Sequence, residues 1–258
     1  MRLPRPRIEN CCVHVTHRCH QRLFLLGTDV DRRQYLKRLW EASRRFPAVR
    51  ILDYVITANH IHLLAWVPRM GDLSALMGWL QGTYAGDRNR RTGREGALWR
   101  GRFHPTLVET GTHLSRCLFY LDMNMVRAGV VAHPRHWRFG GYQELSGTRQ
   151  RYRVIDQDRL LNCLAMQDQA AFRQWYEATL GELCQRASQP REPHWSRAFA
   201  VGGRGWIEQL PGATPLSEDH IRTLGPDGVE PPDATCVLHP PQSLCRRLWQ
   251  AIAGGRQG

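Results

Sequence analysis

Residues 49–67 read Val49-Arg50-Ile51-Leu52-Asp53-Tyr54-Val55-Ile56-Thr57-Ala58-Asn59-His60-Ile61-His62-Leu63-Leu64-Ala65-Trp66-Val67. Two apolar, β-branched runs flank the pair Ala58-Asn59, and Pro68 ends the second run. A two-residue connection joins antiparallel neighbours, so the stretch predicts a hairpin of strands over 49–57 and 60–67. Upstream, residues 8–17 predict another strand. Between them, Tyr35, Leu36, Leu39, Trp40 and Phe46 recur at helical spacing among arginines 32, 33, 38, 44 and 45. This pattern predicts a helix over 31–46, capped from Asp29 and stopped by Pro47.

Downstream, Leu73, Leu76, Met77 and Leu80 predict a helix over 72–84. A polar, Gly- and Arg-rich connection, Gly86 to Gly101, follows. Residues 102–109 predict a fourth strand, in which Pro105 asks for an edge or a bulge. Thr112 can cap a helix over 113–128 that Gly129 closes. The order βαββαβα predicts an α+β fold, with helices packed on an antiparallel sheet in the ferredoxin-like or RRM-like manner. Residues 155–187 predict one or two small helices, and Pro and Gly become frequent from 188 onward. The expected division is a domain over 8–150, an accessory, mostly helical extension over 151–215, and a loosely ordered tail over 216–258.

The 258 residues carry a net charge of +13, and the excess is not spread evenly. Residues 1–150 hold 24 Lys+Arg against 11 Asp+Glu, whereas residues 151–258 hold 12 of each. A one-sided basic excess favours a polyanionic partner, nucleic acid before membrane surface. With 42% hydrophobic residues the chain is expected to fold rather than stay disordered. No apolar run reaches the ~18–20 residues of a membrane span, and no apolar stretch follows the basic N-terminus as a signal peptide requires. The eight Cys include no Cys-x-x-Cys pair, which argues against a zinc ribbon and for reduced, cytoplasmic thiols.

Two constellations carry candidate chemistry. His60 and His62 alternate on one strand, so both imidazoles share a face while Ile61 packs behind them. Two convergent imidazoles make half of a divalent-metal site. On the 113–128 helix, Leu114, Cys117, Leu118, Leu121 and Met125 form the core stripe, and Tyr120, Asn124 and Arg127 line an adjoining face. A tyrosine hydroxyl can attack a phosphodiester when the phosphate is polarised. His14, His17, Cys19 and His20 form a local cluster without a matching second half. The arginines Arg88, Arg90, Arg91, Arg94, Arg100 and Arg102, with Trp99 and Phe103 close by, suit a nucleic-acid backbone path with an aromatic for base stacking. The basic residues 1–7 read as a tail or a groove-binding arm.

These stretches together resemble a known family. Asn59-His60-Ile61-His62-Leu63-Leu64 resembles the His-hydrophobic-His (HUH) motif of the single-tyrosine transposases. Leu98-Trp99-Arg100-Gly101-Arg102-Phe103-His104 and Tyr120-Leu121-Asp122-Met123-Asn124-Met125-Val126-Arg127 resemble that family's later blocks. Pro134, Trp137-Arg138 and Gly141-Tyr142 follow in the expected order, and Val13–Arg18 resembles the first strand. Residues 191–196 and 200–202 resemble a C-terminal segment of one subgroup of the REP-associated tyrosine transposases, the most similar branch. The family commonly has Asn-Pro where this chain has Asn124-Met125, which predicts a straighter helix here.

The resemblance implies an HUH nuclease core with Tyr120 as nucleophile and His60, His62 and Asn124 as ligands of Mg²⁺ or Mn²⁺. It also implies cleavage and rejoining of single-stranded, hairpin-flanked DNA through a 5′-phosphotyrosine, by a monomer or a homodimer. Arg127 joins the six arginines above as an expected DNA contact. The rival expectation is a domesticated protein that grips structured single-stranded DNA or RNA without cutting it.

Overall fold

The structure, a computed structural model, describes residues 8–186, 192–210, 221–224 and 235–238. The elements of the first half are β1 (Glu9–Arg18), α1 (Asp29–Arg45), β2 (Arg50–Ile56), β3 (His60–Arg69), α2 (Met70–Thr92), β4 (His104–Val108), α3 (Thr112–Asp122) and α4 (Asn124–Arg127). After them come α5 (Tyr142–Leu145), α6 (Gln157–Cys163), α7 (Gln169–Gln185), β5 (Ala200–Gly202), α8 (Arg204–Glu208), β6 (Ile221–Leu224) and β7 (Thr235–Leu238). The first four strands lie in the order β2-β3-β1-β4, all neighbours antiparallel, which is the ferredoxin-like arrangement expected. The remaining strands extend the same sheet as β4-β5-β7-β6, with β5 parallel to β4. The C-terminal part therefore adds three strands to its helices α6, α7 and α8, and sequence patterning showed none of these strands. Most of 216–258 and the basic residues 1–7 lie outside the described residues.

Strand alternation divides the core in two. Val13, Val15, Ile61, Leu63 and Ala65 face α1 and α2, while Cys12, Leu52, Leu64 and Val108 face α3, α6 and α7. Pro105 pairs with Val15 at the end of β4, where β5 does not reach, so its missing N–H costs the ladder nothing.

Three expectations need correction. First, α1 is capped by Thr28 rather than Asp29. Thr28 Oγ1 accepts from the Asp31 N–H and Asp31 Oδ2 accepts from the Thr28 N–H, a reciprocal capping box. Second, α2 continues through Asp87–Thr92, residues the sequence assigned to a connection, and ends on Gly93 at φ 62°. Ion pairs to α1 hold the extra turns: Arg88 and Arg91 with Asp31, and Asp87 with Arg38. Third, the tyrosine helix is interrupted at Met123 rather than straightened. At that break Arg127 Nη2 donates to the Tyr120 carbonyl at 2.6 Å.

One core group works against stability. Asp53 on β2 is fully buried, and neither carboxyl oxygen has a hydrogen-bond partner among the described residues. Gly141 passes so close that a Cβ there would stand 1.8 Å from Asp53 Oδ1, so only glycine fits. Burial and the nearby Asp122 raise the Asp53 pKa well above the carboxylate range. A raised folded pKa gives stability that is complete below the unfolded value and lost as pH rises toward the folded one. The parent protein should therefore lose up to about 1.4 kcal/mol per pH unit from this group above pH ~4. Asp53→Asn removes that slope, so its melting temperature relative to the parent should rise between pH 5 and pH 8. A pH-independent difference would refute the assignment.

Candidate active site

The site lies on the sheet face turned toward α3, where the last residues of β1 meet the first residues of β3 and β4. Register places Thr16 between His62 and His104, Arg18 beside His60, and His14 between Leu64 and Thr106. Period-two alternation then brings His14, Thr16, His60, His62, His104 and Thr106 to one face. Tyr120 enters from α3, its ring centroid 6.1 Å from His62 and 6.2 Å from His14. The His60 and His62 centroids are 4.9 Å apart.

Hydrogen bonds set the imidazole tautomers. The Trp195 carbonyl can only accept, so His14 donates from Nδ1 across 2.6 Å. His14 Nε2 is thereby the acceptor for His62 Nδ1–H at 2.8 Å, which leaves the lone pair of His62 on Nε2. Thr16 Oγ1 lies 3.3 Å from the same His62 nitrogen. His60 Nδ1 donates to Asn59 Oδ1 at 2.7 Å, with Thr57 Oγ1 at 2.9 Å, so its lone pair is also on Nε2. Burial pushes the His14 pKa down to about 3 against the pull of the Trp195 carbonyl. Burial lowers His62 well below its usual value too, with the charges of His60, His14, Arg18 and Arg127 adding to the shift. Both rings are neutral near pH 7, the state a metal ligand requires.

The imidazoles of His60 and His62, each engaged at Nδ1, fit one side of a divalent-cation shell. Asn124 stands half-buried at the start of α4, and its amide makes no hydrogen bond among the described residues. No group of three or more His, Cys, Asp or Glu there is arranged to hold a metal. An imidazole–imidazole–amide set falls outside that definition.

Arg127 lies with its guanidinium carbon 4.1 Å from the Tyr120 ring centroid. A cavity of about 370 Å³ opens beside the tyrosine, with Arg116, Arg127 and Arg186 among its walls. Tyr120 itself is 6% exposed, its ring 6.0 Å from Trp195.

The other expected arginines divide. Arg100 and Arg102 are exposed in the connection to β4, next to the His60 end of β1, where Arg100 N–H donates to the Arg18 carbonyl. Arg88 and Arg91 are tied to Asp31, Arg90 pairs with Asp87, and Arg94 donates to the Gly96 and Ala97 carbonyls. These four stand on or beside α2, across the sheet from Tyr120. Trp99 is 9% exposed, stacked on His17 and donating to the Gln81 carbonyl. It is a core residue and not the exposed stacking surface expected, and Phe103 is buried with it.

Sequence reading did not place His14, Thr16, His104 or Trp195 at this site. Alternation along 13–18 contained the signal for the first two, because it puts His14 and Thr16 on one face and His17 on the other. Nothing local tied Trp195 to the site; its 3-10 turn Pro193–Ser196 contacts β1 and β4 from the far end of the chain. The adjoining Ala198 carbonyl accepts from Thr106 and lies 3.1 Å from His104 Nε2.

His14→Phe should strand the Trp195 carbonyl and the His62 Nδ1–H, costing about 2–4 kcal/mol. It should also mix the His62 tautomers, visible in long-range ¹H–¹⁵N spectra. An unchanged His62 spectrum would contradict the bonding described.

No curated protein sequence matches the chain significantly. A solved REP-associated tyrosine transposase bound to a REP hairpin is 20% identical, covering 56% of this chain and 84% of its own, with a TM-score of 0.46. A Deinococcus radiodurans R1 protein described as a transposase candidate is 13% identical, covering 50% of this chain and 98% of its own, with a TM-score of 0.34. The family model "Transposase IS200 like" matches residues 7–121, a span that includes β1 to β4, both histidines of the His-x-His pair and Tyr120. Over residues 7–121 the chain is thus similar to the IS200-like transposases.

Proposed function

We propose that the chain cleaves and rejoins single-stranded, hairpin-flanked DNA, with Tyr120 as nucleophile, in the manner of the REP-associated branch. The observation that carries this reading is the packing of Tyr120 against the neutral His14–His62 pair, with the Arg127 guanidinium against its ring. Tyr120 Oη forms a bond to the scissile phosphorus and the P–O3′ bond breaks. The phenolic proton is balanced by the one the departing 3′-oxygen takes up, leaving a 5′-phosphotyrosine and a free 3′-OH. The ester retains the energy of the broken bond, so a second 3′-OH can reverse the step and join ends. A divalent cation, Mg²⁺ or Mn²⁺, held by Nε2 of His60 and His62 and the Asn124 amide, would supply polarisation of the phosphate. Arg127 offers its charge to the phenolate and the phosphate.

Tyr120 is 6% exposed with Arg127 and Trp195 against its ring, so a strand reaches it when one of these moves aside. A monomer, or a homodimer that exchanges tyrosine helices, could carry out this reaction. Arg100 and Arg102 are placed to take the backbone next to His60. Arg88, Arg90, Arg91 and Arg94 reach DNA only by leaving their present partners. The 8–150 portion carries every reacting group, and 151–215 contributes the Trp195 carbonyl.

Incubation of the protein with hairpin oligonucleotides and Mg²⁺ or Mn²⁺ should yield a denaturant-stable protein–DNA adduct. Tyr120→Phe should lower adduct formation by at least about a thousandfold while DNA binding persists. His60→Ala and His62→Ala should remove the metal dependence. Undiminished adduct from Tyr120→Phe would overturn the proposal, and binding without any adduct would favour the non-cleaving reading.

A further inference from the structure

A second basic surface lies outside the tyrosine site. A groove of about 590 Å³ runs between the outer face of α1 and the segment 138–152 that wraps the β2 edge. Its walls include Arg33, Lys37, Arg138, Arg149 and Arg151, and no acidic side chain lines it. The acids that face these cations hold them loosely. Asp29 lies 4.0 Å from both Arg33 and Arg138, Glu41 lies 4.0 Å from Lys37, and the buried Glu144 lies 3.9 Å from Arg149. The side chains of Arg33, Lys37 and Arg138 are 58%, 54% and 76% exposed, so their charges are available to a ligand. The exposed pairs of Arg33, Lys37 and Arg138 contribute ~0–1 kcal/mol, so a polyanion can displace them at little cost. Among the described residues Arg151 has no ion pair.

Tyr152 stands at one end of the groove in a backbone conformation that side chains rarely adopt, φ 55°. Its ring rests edge-on against Trp40 and is 38% exposed. A tyrosine held in a left-handed conformation at a basic surface is a strained placement of the kind that clusters at binding sites. The groove also adjoins the tyrosine site through the sheet. Gly140 bridges to Val55, and Val55 is the register partner of His62. Two strand spacings, about 10 Å, separate His62 from the rim.

We propose that this groove binds nucleic acid, holding the phosphate backbone of the strand that continues from Tyr120 around the β2 edge, with Tyr152 offered to a base. The inference rests on the reading of the chain as a DNA-acting transposase. Each phosphate contacted releases counterions, so groove cations have a signature in the salt dependence of binding.

The test uses a fluorescent oligonucleotide with a hairpin and a single-stranded flank, titrated by anisotropy across a salt series. Combined Arg33→Gln, Lys37→Gln and Arg151→Gln should reduce the slope of log K against log salt by roughly 2 and weaken Kd by ~10-fold or more at low salt. A matched variant, Arg45→Gln, Arg69→Gln and Arg204→Gln, removes the same charge elsewhere and should keep most of the slope. An unchanged slope in the groove variant, or an equal loss in the matched one, overturns the proposal. The adduct assay on the parent protein is read separately. A parent that forms no adduct, with the slope still lost in the groove variant, would defeat the reading of the reaction and leave the groove standing.

Discussion

The hydrogen bond between His14 and His62 joins the parts of this molecule. It links β1 to β3 on the α3 face, and His14's other nitrogen carries it to the Trp195 carbonyl of a segment more than 180 residues along the chain. A buried carbonyl left unsatisfied costs free energy, and so does a buried imidazole N–H. One ring satisfies both, and in doing so it fixes which nitrogen of His62 holds the lone pair. The tautomer of His62 thus depends on Trp195 as much as on its own strand.

The sheet is the frame for this arrangement. With apolar cores on both faces, each strand residue is committed to one side, and a one-residue slip would exchange them. The α1/α2 side is a conventional apolar layer. The opposite side gives up apolar packing over the first residues of β3 and β4 and the facing end of β1 to hold four imidazoles and two threonines. Deeper under α3 and α5, the buried carboxyls of Asp53, Asp122 and Glu144 add a further cost. Desolvation raises the Asp122 pKa to about 7 even as the Tyr176 hydroxyl, 2.6 Å away, pulls it down. These groups mark where the fold has traded stability for a polar interior.

The basic excess of residues 1–150 has more than one use. Arg88 and Arg91 serve α1–α2 packing through Asp31, whose carboxyl is held below its usual value because the Thr28 and Arg91 hydrogen bonds outweigh the effect of burial. Arg127 serves the tyrosine. Arg33, Lys37, Arg138 and Arg151 remain turned to solvent along one groove. Net charge alone could not separate these roles, because an arginine's partner is chosen by tertiary neighbours and not by composition.

The sequence by itself determined the local order. The Ala58-Asn59 turn, the alternation around His60 and His62 and the helical spacing about Tyr120 are short-range patterns, and they specified the βαββ hairpin core and the candidate nucleophile. The tertiary structure decided what those groups touch. It recruited His14 and Trp195, extended α2 through ion pairs, broke the tyrosine helix at Met123, buried Trp99 and added three strands from a stretch with little periodicity. Each of these depends on contacts between residues far apart in the chain, whose energies exceed the local preferences that sequence patterning reads.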